Sequence, residues 1–211
     1  SRLIKSSIYT IIGNFPGRLC YLYSDALAVS DSIDDIFRFD FAPVCFSPDH
    51  FMTVSKFAKY ALAPENPWNL DLGAALRHEF SVEIPADWPL WNGGMFTFSA
   101  EAEQFFDRWN ANTRRILHSE YWLSRDQTSL IATVFQMNMH DNKTIPSEFN
   151  WLVRHSGRWN SRTNFDERGF SYDGKKIHVM HFIPGFDSSY GDTSVREWTQ
   201  VRQLLETDIE K

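Results

Sequence analysis

Apolar residues recur at helical spacing over residues 2–13, where Leu3, Ile4, Ile8, Ile11 and Ile12 share a face and Gly13 marks a stop. Asn14-Phe15-Pro16-Gly17 is turn chemistry. The run Leu19-Cys20-Tyr21-Leu22-Tyr23 that follows is apolar or aromatic throughout and predicts a strand buried on both faces. Asp31-Ser32-Ile33-Asp34-Asp35-Ile36-Phe37 opens with capping residues and predicts a short helix. Phe41 to Phe46 is a second short strand, placed at a sheet edge or strand start by Pro43. Residues 48–90 show no sustained period and read as loops or a functional excursion.

Periodicity returns with a strand over Gly93-Gly94-Met95-Phe96-Thr97-Phe98. Ala102, Phe105, Phe106 and Trp109 then predict a helix over about 100–116, with Ser99 as its N-cap. Ser124 and Gln127 stand at capping-box spacing before a second helix carrying Leu130, Ile131, Val134 and Phe135. Lys176 to Ile183 reads as a late strand, and a final amphipathic helix is expected from about Thr193 to Glu206. Alternating strands and helices predict an α/β fold.

Composition changes this picture little. The chain has 211 residues, 43% apolar and 23% charged, enough for a real core in one domain of ordinary size. Its 8 Trp and 18 Phe suit bulky core packing, with sugar or base stacking as the other use. A net charge of −6 and no Lys/Arg run argue against nucleic acid as a partner. Cys20 and Cys45 both lie in apolar runs and exclude a disulfide framework. No segment has the length of a transmembrane span, and a cytoplasmic setting is the expectation.

Chemistry enters at Asp25, a carboxylate inside the stretch Leu19 to Val29 that is otherwise apolar or aromatic but for Ser24. A buried carboxylate needs a cation, a metal or a ring of donors, and ligands of open α/β sheets collect beyond strand carboxyl ends. Tyr21-Leu22-Tyr23-Ser24-Asp25-Ala26-Leu27, then Trp91-Asn92-Gly93-Gly94-Met95-Phe96, then Arg125-Asp126-Gln127, then Met180-His181-Phe182-Ile183-Pro184-Gly185 follow one another in that order. The series resembles the GT-A glycosyltransferases, above all the retaining glycogenin-like family 8 enzymes. Their motifs Y-L-D-x-D-T-L-V, F-N-x-G-V-F, D-Q at a helix start and V-H-F-x-G fall on these positions, over roughly residues 5–205.

The resemblance implies a GT-A fold, with a single mixed sheet flanked by helices, and transfer of a hexose from a nucleotide diphosphate, UDP-sugar first, to a carbohydrate acceptor hydroxyl. It implies Asp25 and His181 as ligands of Mn²⁺ or Mg²⁺, with Asn92, Gly93, Gly94, Arg125 and Trp91 at the substrate. It places Asp126 on sugar hydroxyls and Gln127 near the anomeric carbon.

Three departures stand out. Tyr23 replaces the first Asp of the D-x-D element, and no K-P-W follows His181, leaving Arg125 or Arg196 as cations for the diphosphate. Only about 20 residues precede Tyr23, fewer than the base-binding portion of a GT-A domain, so the chain is expected to be one such domain or its C-terminal two-thirds. An inverting enzyme would instead need a general base, for which Asp71, Glu79 and Asp87 are candidates. A catalytically silent GT-A-like module that binds carbohydrate or protein is the second reading. A hydrolase using Asp25, His178 and His181 is a third, weakened by the lack of an H-E-x-x-H pattern.

Overall fold

The computed structural model describes residues 5–9, 15–154, 163–183 and 200. Of the expected helices at 2–13 and 193–206, the described residues cover Lys5–Ser7, a single 3₁₀ turn, residues 8 and 9, helical after it, and residue 200, also helical. The remainder of both, and the segment holding Gly185 and Arg196, lie outside the described residues.

The chain divides into two compact units, one from 1–21 with 39–145 and one from 22–38 with 146–211. The first contains a sheet ordered β1 (Arg18–Leu22), β4 (Pro89–Ser99), β3 (Val44–Thr53), with β3 antiparallel to β4. The run around Tyr21 is thus an edge strand and only half-buried, contrary to its expected burial on both faces. Continuous burial belongs instead to central β4, buried from Leu90 through Phe98. A one-strand neighbourhood leaves β1 with exposed positions that its apolar composition does not reveal. Pro43 lies just before edge strand β3, and its carbonyl accepts from the Ser99 N–H at 2.8 Å.

Residues 48–90 are more regular than their sequence suggests. They finish β3 and form helices α1 (Val54–Ala61) and α2 (Leu72–Phe80). Val54, Ala58 and Ala61 meet Leu72, Ala75, Leu76 and Phe80 in one core cluster with fully buried Trp122. The loop between the helices is organised by Asn66, whose Oδ1 accepts from the Trp68 and Leu70 N–H groups at 2.9 and 3.2 Å. Asp71 caps α2 through the Ala74 N–H at 3.0 Å, and Ser81 ends it in the left-handed region at φ 57°.

Helices α3 (Glu103–Ile116) and α4 (Arg125–Gln136) fall where periodicity predicts them. Their apolar faces close a second cluster around Phe46, Phe96, Phe98, Phe106 and Trp109. The aromatic surplus is largely spent there, with Phe46, Phe96, Phe98, Phe106 and Trp109 all 2% exposed or less. Ser124 makes no side-chain cap bond, so the expected capping box is not formed. Gln127 reaches sideways to β4 instead.

The second unit holds two further sheets. In one, β9 (Val179–Ile183) lies between β2 (Ala26–Ala28), antiparallel, and β5 (Trp151–Arg154), parallel. The other is a meander of β6 (Thr163–Asp166), β7 (Gly169–Tyr172) and β8 (Lys175–Lys176). The expected helix at 31–37 is a 3₁₀ segment, Ile33–Arg38. Where one mixed sheet was expected, the described residues form three sheets of three strands. No helix among them is long and apolar enough to cross a membrane.

Candidate functional site

Asp25 sits in the turn that joins β1 to β2, closed by the Ala26 N–H donating to the Tyr23 carbonyl at 3.0 Å. Ala26 is paired directly opposite His181 on β9, and the Phe182 N–H donates to the Asp25 carbonyl at 2.8 Å. Register alone therefore delivers the Asp25 side chain to the His181 ring. Oδ1 of Asp25 lies 3.0 Å from Nε2 of His181, with the carboxylate 18% exposed and the imidazole 5%. Although that is ion-pair distance, the oxygen is buried and has no hydrogen bond. On its other side the His181 ring meets Asn150, Nδ1 to Oδ1, at 3.0 Å.

A buried carboxylate oxygen that makes no hydrogen bond, 3.0 Å from an imidazole nitrogen, is a donor set for a divalent cation, and the residues present fit one on that ground. Among the described residues no third His, Cys, Asp or Glu joins them. Water or the oxygens of a substrate would complete the coordination. Tyr23, at the first position of the D-x-D element, is 37% exposed in the same turn.

His178 does not join this pair. Its ring stacks on Phe149 at 4.3 Å between centroids, and its Nδ1 lies 3.1 Å from the Ser30 hydroxyl. Burial and, secondarily, the nearby Lys176 charge hold His178 below its ordinary pKa, so it is neutral at physiological pH. The Asp25–His178–His181 constellation of a hydrolase is accordingly not assembled.

The remaining candidates lie together in the first unit, where α4 packs on β4. Asn92 is 8% exposed, and its Oδ1 accepts from the Gly94 N–H at 2.7 Å. Gln127 grips the same strand with both ends of its amide. Oε1 accepts from the Gly93 N–H at 3.0 Å, and Nε2 donates to the Trp91 carbonyl. A Cβ on Gly93 would stand 3.3 Å from Leu130 Cδ2 and 3.5 Å from Gln127 Oε1, so this glycine admits α4 close against β4. We expect Gly93→Val to cost about 1–3 kcal/mol through overpacking; a urea midpoint equal to wild type would refute the close approach.

Trp91 is 4% exposed and packs on Phe46 at 5.8 Å between centroids, which places it in the core. Asp126, in the first turn of α4, pairs with Lys5 at 3.0 Å, the two side chains 21% and 10% exposed. Lys5 is the residue sequence reasoning missed. It lies about 120 residues from its partner inside an apolar helical pattern that also carries Arg2, and nothing in the sequence singles it out. Arg125 donates to the Ile116 and Ser119 carbonyls at 3.2 and 2.8 Å, holding the C-terminal end of α3. Of the general-base candidates, Asp71 is the α2 cap and Glu79 pairs with Arg115 at 2.6 Å.

No protein-family model matches the chain, and no curated protein matches it. Among solved structures, the apo form of mouse xyloside xylosyltransferase 1 is similar at a TM-score of 0.48 and 14% identity, over 85% of this chain and 62% of that one. The chain thus spans less than two thirds of that protein's length. A likeness of this degree assigns no family, and the functional reading rests on the residues themselves.

Proposed function

We propose that this chain is a glycosyltransferase of the GT-A type, moving a hexose from a UDP-sugar to a carbohydrate acceptor hydroxyl with retention of configuration. The observation that carries the reading is the convergence of Asp25 and His181, 156 positions apart in sequence, to 3.0 Å with the carboxylate oxygen otherwise unpartnered. A divalent ion held by the two would act as a Lewis acid on the diphosphate leaving group, and the imidazole favours Mn²⁺ over Mg²⁺. In the transfer, the bond from the anomeric carbon to the diphosphate oxygen breaks, a bond to the acceptor oxygen forms, and the acceptor proton leaves with the diphosphate. Gln127 fixes the backbone on either side of Asn92, whose Oδ1 accepts from the Gly94 N–H.

A second reading is favoured by specific contacts. Both ends of the Gln127 amide are occupied by backbone, Asp126 is held by Lys5, and Tyr23 stands where a first carboxylate would be. These suit a silent module of the same fold that binds carbohydrate or protein. Mn²⁺-dependent release of UDP from UDP-glucose, UDP-galactose and UDP-xylose separates the two. Turnover by the wild type that vanishes in Asp25→Ala supports the enzyme. A folded wild type that binds Mn²⁺ and UDP but releases nothing from any donor supports the silent module.

A further inference from the structure

We infer that the first unit binds an uncharged saccharide in a cleft where α2 and α4 end, away from the residues assigned to transfer. Gln136 at the cleft follows Gln127 by nine residues on α4, about 13–14 Å along the helix axis.

The cleft measures about 550 Å³, a size suited to a small ligand. Its floor is the junction of the two helix ends. Gln136 Nε2 donates to the Phe80 carbonyl at 3.0 Å, and its Oε1 accepts from Asn112 Nδ2 at 2.9 Å, which pins α2, α3 and α4 together. Ser81 and Asn138 end α2 and α4 in the left-handed region, at φ 57° and 54°, and turn the chain into the two walls. On one wall the His140 ring lies face to face on Phe135, with 4.5 Å between centroids and 9° between planes. Trp88 meets Phe135 edge-on at 5.0 Å, and its indole N–H donates to the His140 carbonyl at 3.4 Å. These rings are held in place before any ligand arrives, which spares part of the ordering cost of binding.

Charge selects the ligand class. Two helix C-termini turn partial negative charge toward the cleft and Glu83 lines it, while no Lys or Arg among the described residues does, so an anion is disfavoured. A cation finds no free counter-charge, because Arg77 takes both Glu83 oxygens, Nη2 to Oε2 at 2.6 Å and Nε to Oε1. Any charge on His140 is likewise met by Asp141, 3.6 Å from its Nε2. The polar groups that remain are the Ser81 hydroxyl, the Asn138 amide and the carboxylate and carbonyl acceptors, set beside the apolar surface of Phe135 and Pro85. A pyranose satisfies both, with hydroxyls for the polar groups and a C–H face for the aromatic wall.

The test uses the full chain free of metal. Lactose, maltose, cellobiose and xylobiose serve as neutral probes, glucose 6-phosphate as the anion and spermidine as the cation, each titrated under NMR detection. At least one disaccharide should bind the wild type, and the two charged probes should not. Phe135→Leu removes the ring while keeping an apolar side chain, and should weaken binding about 3–10-fold. Ser81→Gly combined with Asn138→Gly strips two polar side chains at positions whose left-handed backbone suits glycine, and should weaken it to a similar degree. Failure of all four disaccharides to bind overturns the inference. So does binding undiminished in the variants, which places the sugar elsewhere, or capture of either charged probe in preference to sugar. If Phe135→Leu does not fold, the glycine double variant decides. UDP release is scored separately: a chain that binds disaccharide but transfers nothing keeps this cleft and loses the enzyme, and the reverse result loses the cleft alone.

Discussion

Mn²⁺ at a hundredfold excess over its dissociation constant should stabilise the wild-type protein by about 2.7 kcal/mol, and it should do nothing for Asp25→Ala or His181→Ala. The two variants nonetheless differ in the metal-free state. Asp25→Ala deletes a largely buried carboxylate that has no hydrogen bond on Oδ1, and its stability should equal or exceed that of the wild type. His181→Ala empties a buried position and leaves the Asn150 Oδ1 without its ring partner, at a cost of about 1–3 kcal/mol. Thermal melts with and without Mn²⁺ read both effects. Equal metal-induced stabilisation of all three proteins would remove the ion from this site.

The largest loss of stability is expected from Trp109→Ala, about 3–5 kcal/mol by urea unfolding. Trp109 is fully buried, with Phe46, Phe96, Phe105 and Phe106 all within 6.3 Å between ring centroids. Its indole N–H also donates to the Asp126 carbonyl at 3.0 Å and the Ser129 hydroxyl at 3.1 Å, tying α3 to the first turn of α4. Removal opens a cavity and strips that tie at once. Trp109→Phe should recover most of the packing but not the hydrogen bonds, and so fall between the two. A variant Trp109→Ala within 1 kcal/mol of wild type would mean that the aromatic cluster is not what holds α3 and α4 on the sheet.

Periodicity made α3 and α4 legible, because each presents a wide apolar stripe to one sheet face. The same signal was present in α1 and α2 at Val54, Ala58 and Ala61 and at Leu72, Ala75, Leu76 and Phe80. There it was masked by short helices, small alanines and interleaved prolines, which make two turns resemble loop. The Ser124–Gln127 spacing misled for another reason. A glutamine three residues into a helix serves equally to cap it or to bond a neighbouring strand, and here Gly93 lets the strand come close enough to win. For the candidate site, Asp25 and His181 were readable as an order of motifs, whereas their approach to 3.0 Å is set by the register of Ala26 against His181. Asn150 and Lys5 gave no such mark, since one polar residue before a strand and one lysine in an apolar helix are ordinary features.

The central place of β9 in its sheet also bears on the timing of synthesis. Among the described residues, the strand partner of β2 in its sheet is made about 150 residues after it, which is roughly 10–30 s at ordinary elongation rates. During that interval the first unit can be completed, since its last residues are near 145. β2 meanwhile must wait without its strand partner. Its length of three residues keeps that exposed edge short, a feature that limits association between nascent chains while the Asp25–His181 contact is still unmade.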